Sequence, residues 1–480
     1  MRSCSVLLLL QLLTGIGSGQ EAIPLGGRRE LFVDHFLIEK MNDARLVLHE
    51  PYDQGVVLRF DRPWEGAFCG YATVIKDNER YRLYYRGLPT AKKGDGSTLE
   101  VTCYAESKDA IHWNKPNLGL FEINGSKKNN VILANAAPAT HNFSPFLDTR
   151  PTASAEERFK ALGGTEKSGL LAFVSKDGIH WRKRGSEPVL REGMFDSQNV
   201  AFWSAAESCY VCYFRTWSGT GYSGYRTVSR STSKDFDHWT APQQMSYGDT
   251  PPEHIYTNQT HAYFNAPHLY IAVAARFMPN RQVLTEEQAR QIQVDAGYFK
   301  DCSDVVFMTS RGGNQYDRSF MEAFITPGIG YANWVSRSNY PALNVVPTGN
   351  EEMSLFVNQN YAQPTACLHR YSLRLDGFAS LYADYRGGEM ISRIFTFTGD
   401  RLVLNMRTSA AGGIQVEILD PDGIAMAGYT LADCRPIIGN ELNHVVVWNQ
   451  GASVAGLAGK PIRLRMVLQD AHVYALQFID

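Results

Sequence analysis

The sequence predicts an all-β fold, a five-bladed β-propeller followed by a C-terminal β-sandwich, on three observations. A seven-residue turn recurs, a pair of alternating strands precedes every copy, and the strand rhythm changes near residue 385. The turn reads "SKDAIHW" at Ser107–Trp113, "SKDGIHW" at Ser175–Trp181 and "SKDFDHW" at Ser233–Trp239. Recurrence at such spacing marks a repeat architecture rather than a local motif.

Taken in order, the chain begins with Arg2, the apolar run Val6–Leu13 and small residues up to Gly19. Residues 1–19 have the layout of a secretory signal peptide, so a secreted or periplasmic protein is expected. The run is far shorter than the roughly 20 apolar residues that span a bilayer, and no membrane association is expected after cleavage.

Residues 30–385 hold five units. Each has a leading strand, in turn "GYATVIKD", "FSPFLD", "NVAFWSA", "THAYFNA" and "ALNVVPT", then the alternating pair, then the turn and an outer segment. About four short antiparallel strands per unit is the content of one propeller blade. A single blade cannot bury both faces, so radial stacking supplies the core. In the fourth and fifth units the turn degenerates to "RGGNQYD" and "LRLDGF". Within the turn, Ser and Asp can bond their own backbone, Gly178 can supply a positive φ, and Trp181 can pack between sheets. Its repetition makes Asp177 and His180 parts of a structural device.

The stretch Leu284–Val294, "LTEEQARQIQV", interrupts the fourth unit. Thr285 followed three residues later by Gln288 predicts a short capped helix, placed on the propeller rim at the central opening. Residues 386–480 lack the tryptophan turn and show dense alternation with turns around Gly399, Gly412 and Pro421, which predicts the β-sandwich.

Composition narrows the function. The 480 residues are 44% hydrophobic and 20% charged with a net charge of −2, which leaves no electrostatic footprint for nucleic acid. Outside the leader stand seven cysteines, Cys69, Cys103, Cys209, Cys212, Cys302, Cys367 and Cys434, an odd number without a disulfide pattern. Cys209 and Cys212 lie three apart on a strand and face opposite sides, so buried apolar cysteine is expected rather than a redox or zinc site. His254, His261 and His268 match no metal spacing. No cofactor is expected, and a structural Ca²⁺ in the channel has no readable motif. Glycosylation sequons occur at Asn124, Asn142 and Asn258.

Loops leading into the inner strands of a propeller converge on one mouth of its channel, and functional groups belong there. These loops supply Trp64 and Glu65 in "RPWEGAFC", His141, Asn142 and Asp148 in "THNFSPFLD", and Asp196 in "GMFDSQN". They also supply Glu253, His254 and Asn258 in "PPEHIYTNQTH" and Arg337 in "WVSRSNYP". Aromatic faces cover the C–H patches of a sugar, while amides and arginine satisfy its hydroxyls. Two carboxylates flanking a glycosidic bond carry its hydrolysis. Glu65 and Asp196 are the expected pair, Glu253 the reserve acid. Trp64, His141, Asn142, Asp148, His254, Asn258 and Arg337 are the expected binding groups. The expected activity is glycoside hydrolysis at a terminal bond of an oligo- or polysaccharide; the alternative is a carbohydrate-binding propeller without catalysis.

Five units, carboxylates before the inner strands and a trailing sandwich together resemble the five-bladed propeller glycoside hydrolases, above all families 32 and 43. The recurrent turn resembles the Asp-box of sialidases. Family 32 implies the propeller-plus-sandwich layout; "KMNDARL" at Lys40–Leu46 shares only Met-Asn-Asp with that family's W-M-N-D-P-N-G stretch, so no nucleophile is carried onto Asp43. Family 43 implies acidic residues at the first three inner strands. Those places fall on Glu65, Asn142 and Asp196, with an amide in the middle and Asp148 at the far end of the same strand.

Overall fold

A computed structural model describes residues 21–88 and 98–480. The expected leader, residues 1–19, lies outside the described residues. Five antiparallel sheets form the propeller. Blade 1 runs Gly70–Asp77, Arg80–Gly87, Val101–Ser107 and Val131–Leu133, and blade 2 runs Ser144–Leu147, Phe159–Thr165, Gly169–Ser175 and Arg182–Lys183. Blade 3 runs Val200–Ser204, Cys209–Trp217, Arg226–Ser233 and Gln243–Gln244. Blade 4 has a divided inner strand, Ile255–Thr257 and Thr260–Tyr263, then Ala266–Met278 and Cys302–Ser310, with isolated bridges to Ile325 and Asp317 as its outer edge. Blade 5 has Tyr340–Pro341 and Val346–Pro347 inside, then Glu352–Gln359 and Cys367–Arg374. Its outermost strand is Tyr52–Arg59, from the other end of the chain, which closes the ring.

The expected boundaries of 30–385 and 386–480 shift accordingly. Glu30–Leu31, Ile38–Asn42, Ala44–Leu48 and Ala379–Ala383 join the C-terminal eight-stranded sheet rather than any blade. Strand alternation reports a buried face but not the partner strand, and that is why these segments read as propeller. The long strands Arg401–Leu419 and Arg463–Ile479 pair along most of their lengths, with a register shift between Thr408 and Gly413. Their alternate residues, from Leu402 to Ile418 and from Leu464 to Phe478, fill the sandwich core around Trp448. A second core joins the sandwich to blades 4 and 5 through Leu31, Val33, Phe307, Leu355, Phe378 and Ala475.

The three tryptophan turns are superimposable in their bonding. In each, the Ser hydroxyl accepts from the backbone N–H two and three residues on, at 3.1 and 2.9 Å for Ser107 and at 3.3 and 2.9 Å for Ser175. The Asp carboxylate accepts from two further N–H groups and from His Nδ1, and the indole donates to the carbonyl of the central residue. That residue, Ala110, Gly178 or Phe236, has a φ of 62°, 74° or 74°. Trp113 reaches Phe356 of blade 5 and Trp181 reaches Tyr84 of blade 1, so these turns do lock adjacent blades.

All seven described cysteines are free and buried, and Cys209 and Cys212 enter different core clusters on the two faces of their strand. The insertion forms the helix Glu286–Gln291 with the Thr285/Gln288 capping box. Leu284, Ala289 and Val294 pack it onto Phe68, Leu88 and Tyr361, at the approaches to blades 1 and 5. Among the described residues no helix is long and apolar enough to cross a membrane.

Candidate functional site

The centre of the ring is plugged by amides. Gln198 Nε2 donates to Ala72 O at 3.2 Å and Thr73 Oγ1 at 2.9 Å, and Gln259 Nε2 donates to Gln198 Oε1 at 2.7 Å and Pro341 O at 2.5 Å. Blades 1, 3, 4 and 5 are thereby tied across the axis. Just before this plug in each blade stands one polar or aromatic side chain: Tyr71, His141, Asp196, Tyr256 and Tyr340.

These five close a circle. Tyr71 meets the His141 ring edge-on at 5.7 Å, and His141 Nε2 lies 3.2 Å from Asp196 Oδ1. Arg215 Nη2 donates to Asp196 Oδ2 at 3.0 Å, and its guanidinium stacks on Tyr256 at 4.9 Å. Tyr256 and Tyr340 are 5.1 Å apart, and both share an apolar cluster with Tyr71 and Phe277. Tyr71 holds a left-handed φ of 49°, where the inner strand of blade 1 shifts register between Gly70 and Thr73. A bulge of this kind re-aims a side chain, here towards the mouth.

Asp196 is the carboxylate of the circle that reaches solvent, its side chain half exposed beside the nearly buried Arg215 and His141. Burial raises its pKa, but the His141 hydrogen bond and the Arg215 charge outweigh burial and hold the carboxyl well below the usual range. His141 sits between two acids, with Nδ1 3.0 Å from Glu100 Oε1 on the far side. Burial works against its charged form, yet Asp196 and Glu100 together raise its pKa above the ordinary value. The result is Glu100–His141–Asp196, a buried carboxylate, an imidazole whose charged form its two acidic neighbours favour, and a carboxylate held ionised at the opening. Tyr222 stands nearby, electrostatically coupled to Asp196 and hydrogen-bonded to the exposed Glu166 of the neighbouring hairpin.

Among the expected residues the structure brings together Asp196, His141 and Arg337, the last with its guanidinium 5.6 Å from the Tyr256 ring. It places the others elsewhere. Glu65 is fully buried, accepting from Tyr85 Oη at 2.6 Å, Lys115 Nζ at 2.7 Å and Arg62 N at 2.9 Å. Trp64 donates to Asn130 at 2.6 Å and packs in the same core, between blades 1 and 5. Glu253 is taken up by Arg276 at 2.7 Å and Arg318 at 3.0 Å. Asp148 is buried against Lys160 at 2.8 Å and Tyr210 at 2.6 Å. Asn258 caps its own turn by accepting from Thr260 N. His254 accepts from Arg226 N at 3.1 Å and lines a separate cleft of about 490 Å³ with Tyr225, Phe277 and Trp334.

Asn142 has a different task from the one expected. Its Nδ2 donates to Gly164 O, Phe195 O and Ser197 O at 2.8, 2.6 and 2.8 Å, which clamps the loop carrying Asp196. A carboxylate there would face three carbonyl oxygens with no proton to offer, so the amide is required where family 43 implies an acid. The sequons at Asn142 and Asn258 are buried, and the Asn124 sequon is exposed. Asp43 lies between Ile38–Asn42 and Ala44–Leu48, two strands of the sandwich sheet that pair with different partners. Among the described residues no cluster of His, Cys, Asp or Glu is arranged to hold a metal ion.

Sequence reasoning missed Tyr71, Arg86, Glu100, Arg215 and Arg226 as site residues, while Tyr256 and Tyr340 stand in the inner-strand entries "PPEHIYTNQTH" and "WVSRSNYP" without a role of their own. Arg86 and Arg215 end the second strands of their blades, beside the inner-strand approaches, so the antiparallel register was the available signal.

No protein-family model matches the chain. One curated relative, the uncharacterized protein Rv1502 of Mycobacterium tuberculosis, is 27% identical over 159 residues, 32% of this chain and 46% of that protein. The match thus spans under half of the relative's length. Among solved structures, an N-acetylgalactosamine deacetylase from F. plautii is 13% identical over 69% of this chain and 96% of its own, with a TM-score of 0.44. A β-1,2-mannobiose phosphorylase from Listeria innocua is 10% identical over 68% of this chain and 98% of its own, also with a TM-score of 0.44. A glycosyl hydrolase from Bacteroides ovatus is 13% identical over 72% and 93%, with a TM-score of 0.38. These neighbours are carbohydrate-active proteins by name, and residue roles here rest on this chain's own geometry.

Proposed function

We propose that the protein is a secreted, glycosidase-like enzyme that binds a terminal sugar of an oligo- or polysaccharide at the channel mouth. The observation that carries this reading is the half-exposed Asp196, ionised by Arg215 and His141 and set in a circle of aromatic rings. An ionised carboxylate serves as base or nucleophile and cannot serve as the acid. Glu65 and Glu253 are committed to ion pairs, so the second carboxylate is assigned to Glu166, exposed on the rim and hydrogen-bonded to Tyr222. Glu100 and His141 act as positioning groups that hold the orientation and charge of Asp196.

Turnover of an oligosaccharide panel by Asp196→Asn tests the role. A loss of at least about 100-fold is expected, the scale of a general acid or base, and Asp196→Asn retaining full turnover would overturn the site. The second reading, a binding propeller without catalysis, is favoured by the presence, among the described residues, of one exposed carboxylate within the circle itself. Glycan binding by the wild-type protein with no released product across the panel would establish it.

A further inference from the structure

A row of aromatic rings leads away from Asp196. Tyr222, bonded to Glu166 and electrostatically coupled to Asp196, meets Trp217 at 5.9 Å. Trp217 meets His254 at 6.2 Å, and His254 meets Tyr225 at 5.0 Å. Tyr222 and Tyr225 lie in the turn of a blade 3 hairpin whose strands pair Trp217 with Arg226. The Arg226 N–H, donating to His254 Nδ1 at 3.1 Å, holds this hairpin against the approach to blade 4. Tyr222 and Tyr225 are exposed, while Trp217 and His254 are half-buried.

The row ends in the cleft of about 490 Å³ that His254, Tyr225, Phe277, Arg281 and Trp334 line. That volume falls within the roughly 300–1,000 Å³ of small-molecule sites. One side chain separates the cleft from the circle. Phe277 lines the cleft and also stands 5.5 Å from Tyr256, in the apolar cluster of Tyr71 and Tyr340. A ligand that outgrows the circle on this side meets the cleft next.

The groups in the cleft suit a hydroxyl-rich ligand with flat C–H faces. Because His254 Nδ1 accepts from a backbone N–H, the neutral ring carries its proton on Nε2. Burial and the Arg226 charge lower its pKa and favour that neutral form. Nε2 has no hydrogen-bond partner among the described residues, and it is a donor for a hydroxyl oxygen. The exposed Arg281 adds further donors. Glu253 and Asp304, the carboxylates of the cleft, are both taken by Arg276. The Trp334 indole is fixed by donating to Gly328 O at 3.0 Å, and with the Tyr225 ring it offers the aromatic faces that cover sugar C–H patches.

We propose that the cleft is a second sugar subsite, which takes the units of an oligosaccharide that follow the terminal sugar at the circle, with Tyr225 and Trp334 as platforms and His254 Nε2 as a hydroxyl donor. The protein is then selective for chains over single sugars. This inference rests on the carbohydrate reading above and extends it to the length of the substrate.

The test is calorimetric titration of the full chain with mannose, xylose, arabinose and galactose and with the linear trisaccharides of β-mannan, xylan, arabinan and β-galactan. For the sugar that binds, the trisaccharide is expected to bind at least about tenfold tighter than the monosaccharide, the scale of one aromatic contact with one hydrogen bond. Tyr225→Ala should bring the two affinities within about twofold of each other, and Tyr225→Phe, which keeps the ring, should retain most of the gain. Equal affinity of the wild-type chain for monosaccharide and trisaccharide would overturn the inference and leave the terminal-sugar reading standing. A full gain in Tyr225→Ala would place the added units elsewhere and overturn the cleft assignment. Loss of the monosaccharide together with the trisaccharide in Tyr225→Ala would make Tyr225 part of the terminal-sugar site and overturn the division between the two. Binding of none of these glycans would remove the carbohydrate reading and the inference with it.

Discussion

Asp196 owes its character to neighbours that are remote in sequence. Its charge is fixed by Arg215 from the second strand of its own blade and by His141 from the blade before, while Asn142 clamps the loop through Phe195 and Ser197. This separates residues that touch chemistry from residues that position it, a distinction the inner-strand loops do not display in one dimension. Glu65, Asp196 and Glu253 are all loop carboxylates near inner strands, but Lys115 and Tyr85 claim the first, and Arg276 and Arg318 the third. Their partners lie up to 65 positions away along the chain, in other strands, and no local pattern announces them. One residue makes the point testable. Asn142→Asp would set a charge against three carbonyls with the Gly164 N–H, 2.9 Å from Asn142 Oδ1, as a donor, and chemical denaturation should show a loss of about 3 kcal/mol or more, since a buried charged group left short of donors costs more than a neutral one. Stability equal to wild type would show that the amide is not the clamp described.

At the scale of the element, the recurrent turn was the most legible feature of the sequence because its function is local. Ser, Asp and Trp act within seven residues, and the backbone groups they satisfy are their own. The short helix was legible for the same reason: the capping box Thr285/Gln288 is complete within itself. The bulge at Tyr71 was not, because "GYATVIKD" alternates like an ordinary strand while the register shift depends on Arg86 and Tyr84 of the next strand. Neither was the closing strand Tyr52–Arg59, whose partner Cys367–Arg374 lies some 300 residues on. For the turns, Ser175→Ala should leave the N–H groups of Asp177 and Gly178 without their acceptor. A loss of about 1–3 kcal/mol is expected in equilibrium unfolding. No measurable change would show that solvent replaces the hydroxyl and that the turn is not a stabilising lock.

For the whole molecule, five blades, ring closure by an N-terminal strand and a sandwich built from both chain ends give one consistent assignment of every described strand. The count of blades was readable from repetition, whereas the allotment of residues 23–48 to the sandwich needed long-range pairing. Stacking five sheets brings five separate loops to one opening, and the circle of Tyr71, His141, Asp196, Tyr256 and Tyr340 exists only in the closed ring. A competing location is available on the same molecule. A groove of about 570 Å³ between blade 5 and the sandwich is lined by His49, Tyr52, Tyr371, Arg407 and Tyr474, and it also offers aromatic and charged groups. The most direct measurement is a crystal structure of the protein with a bound oligosaccharide. The sugar is expected at the channel mouth, with a hydroxyl or glycosidic oxygen within hydrogen-bond distance of Asp196. A ligand seated in the groove beside Tyr52 and Tyr474, with the mouth unoccupied, would contradict the account.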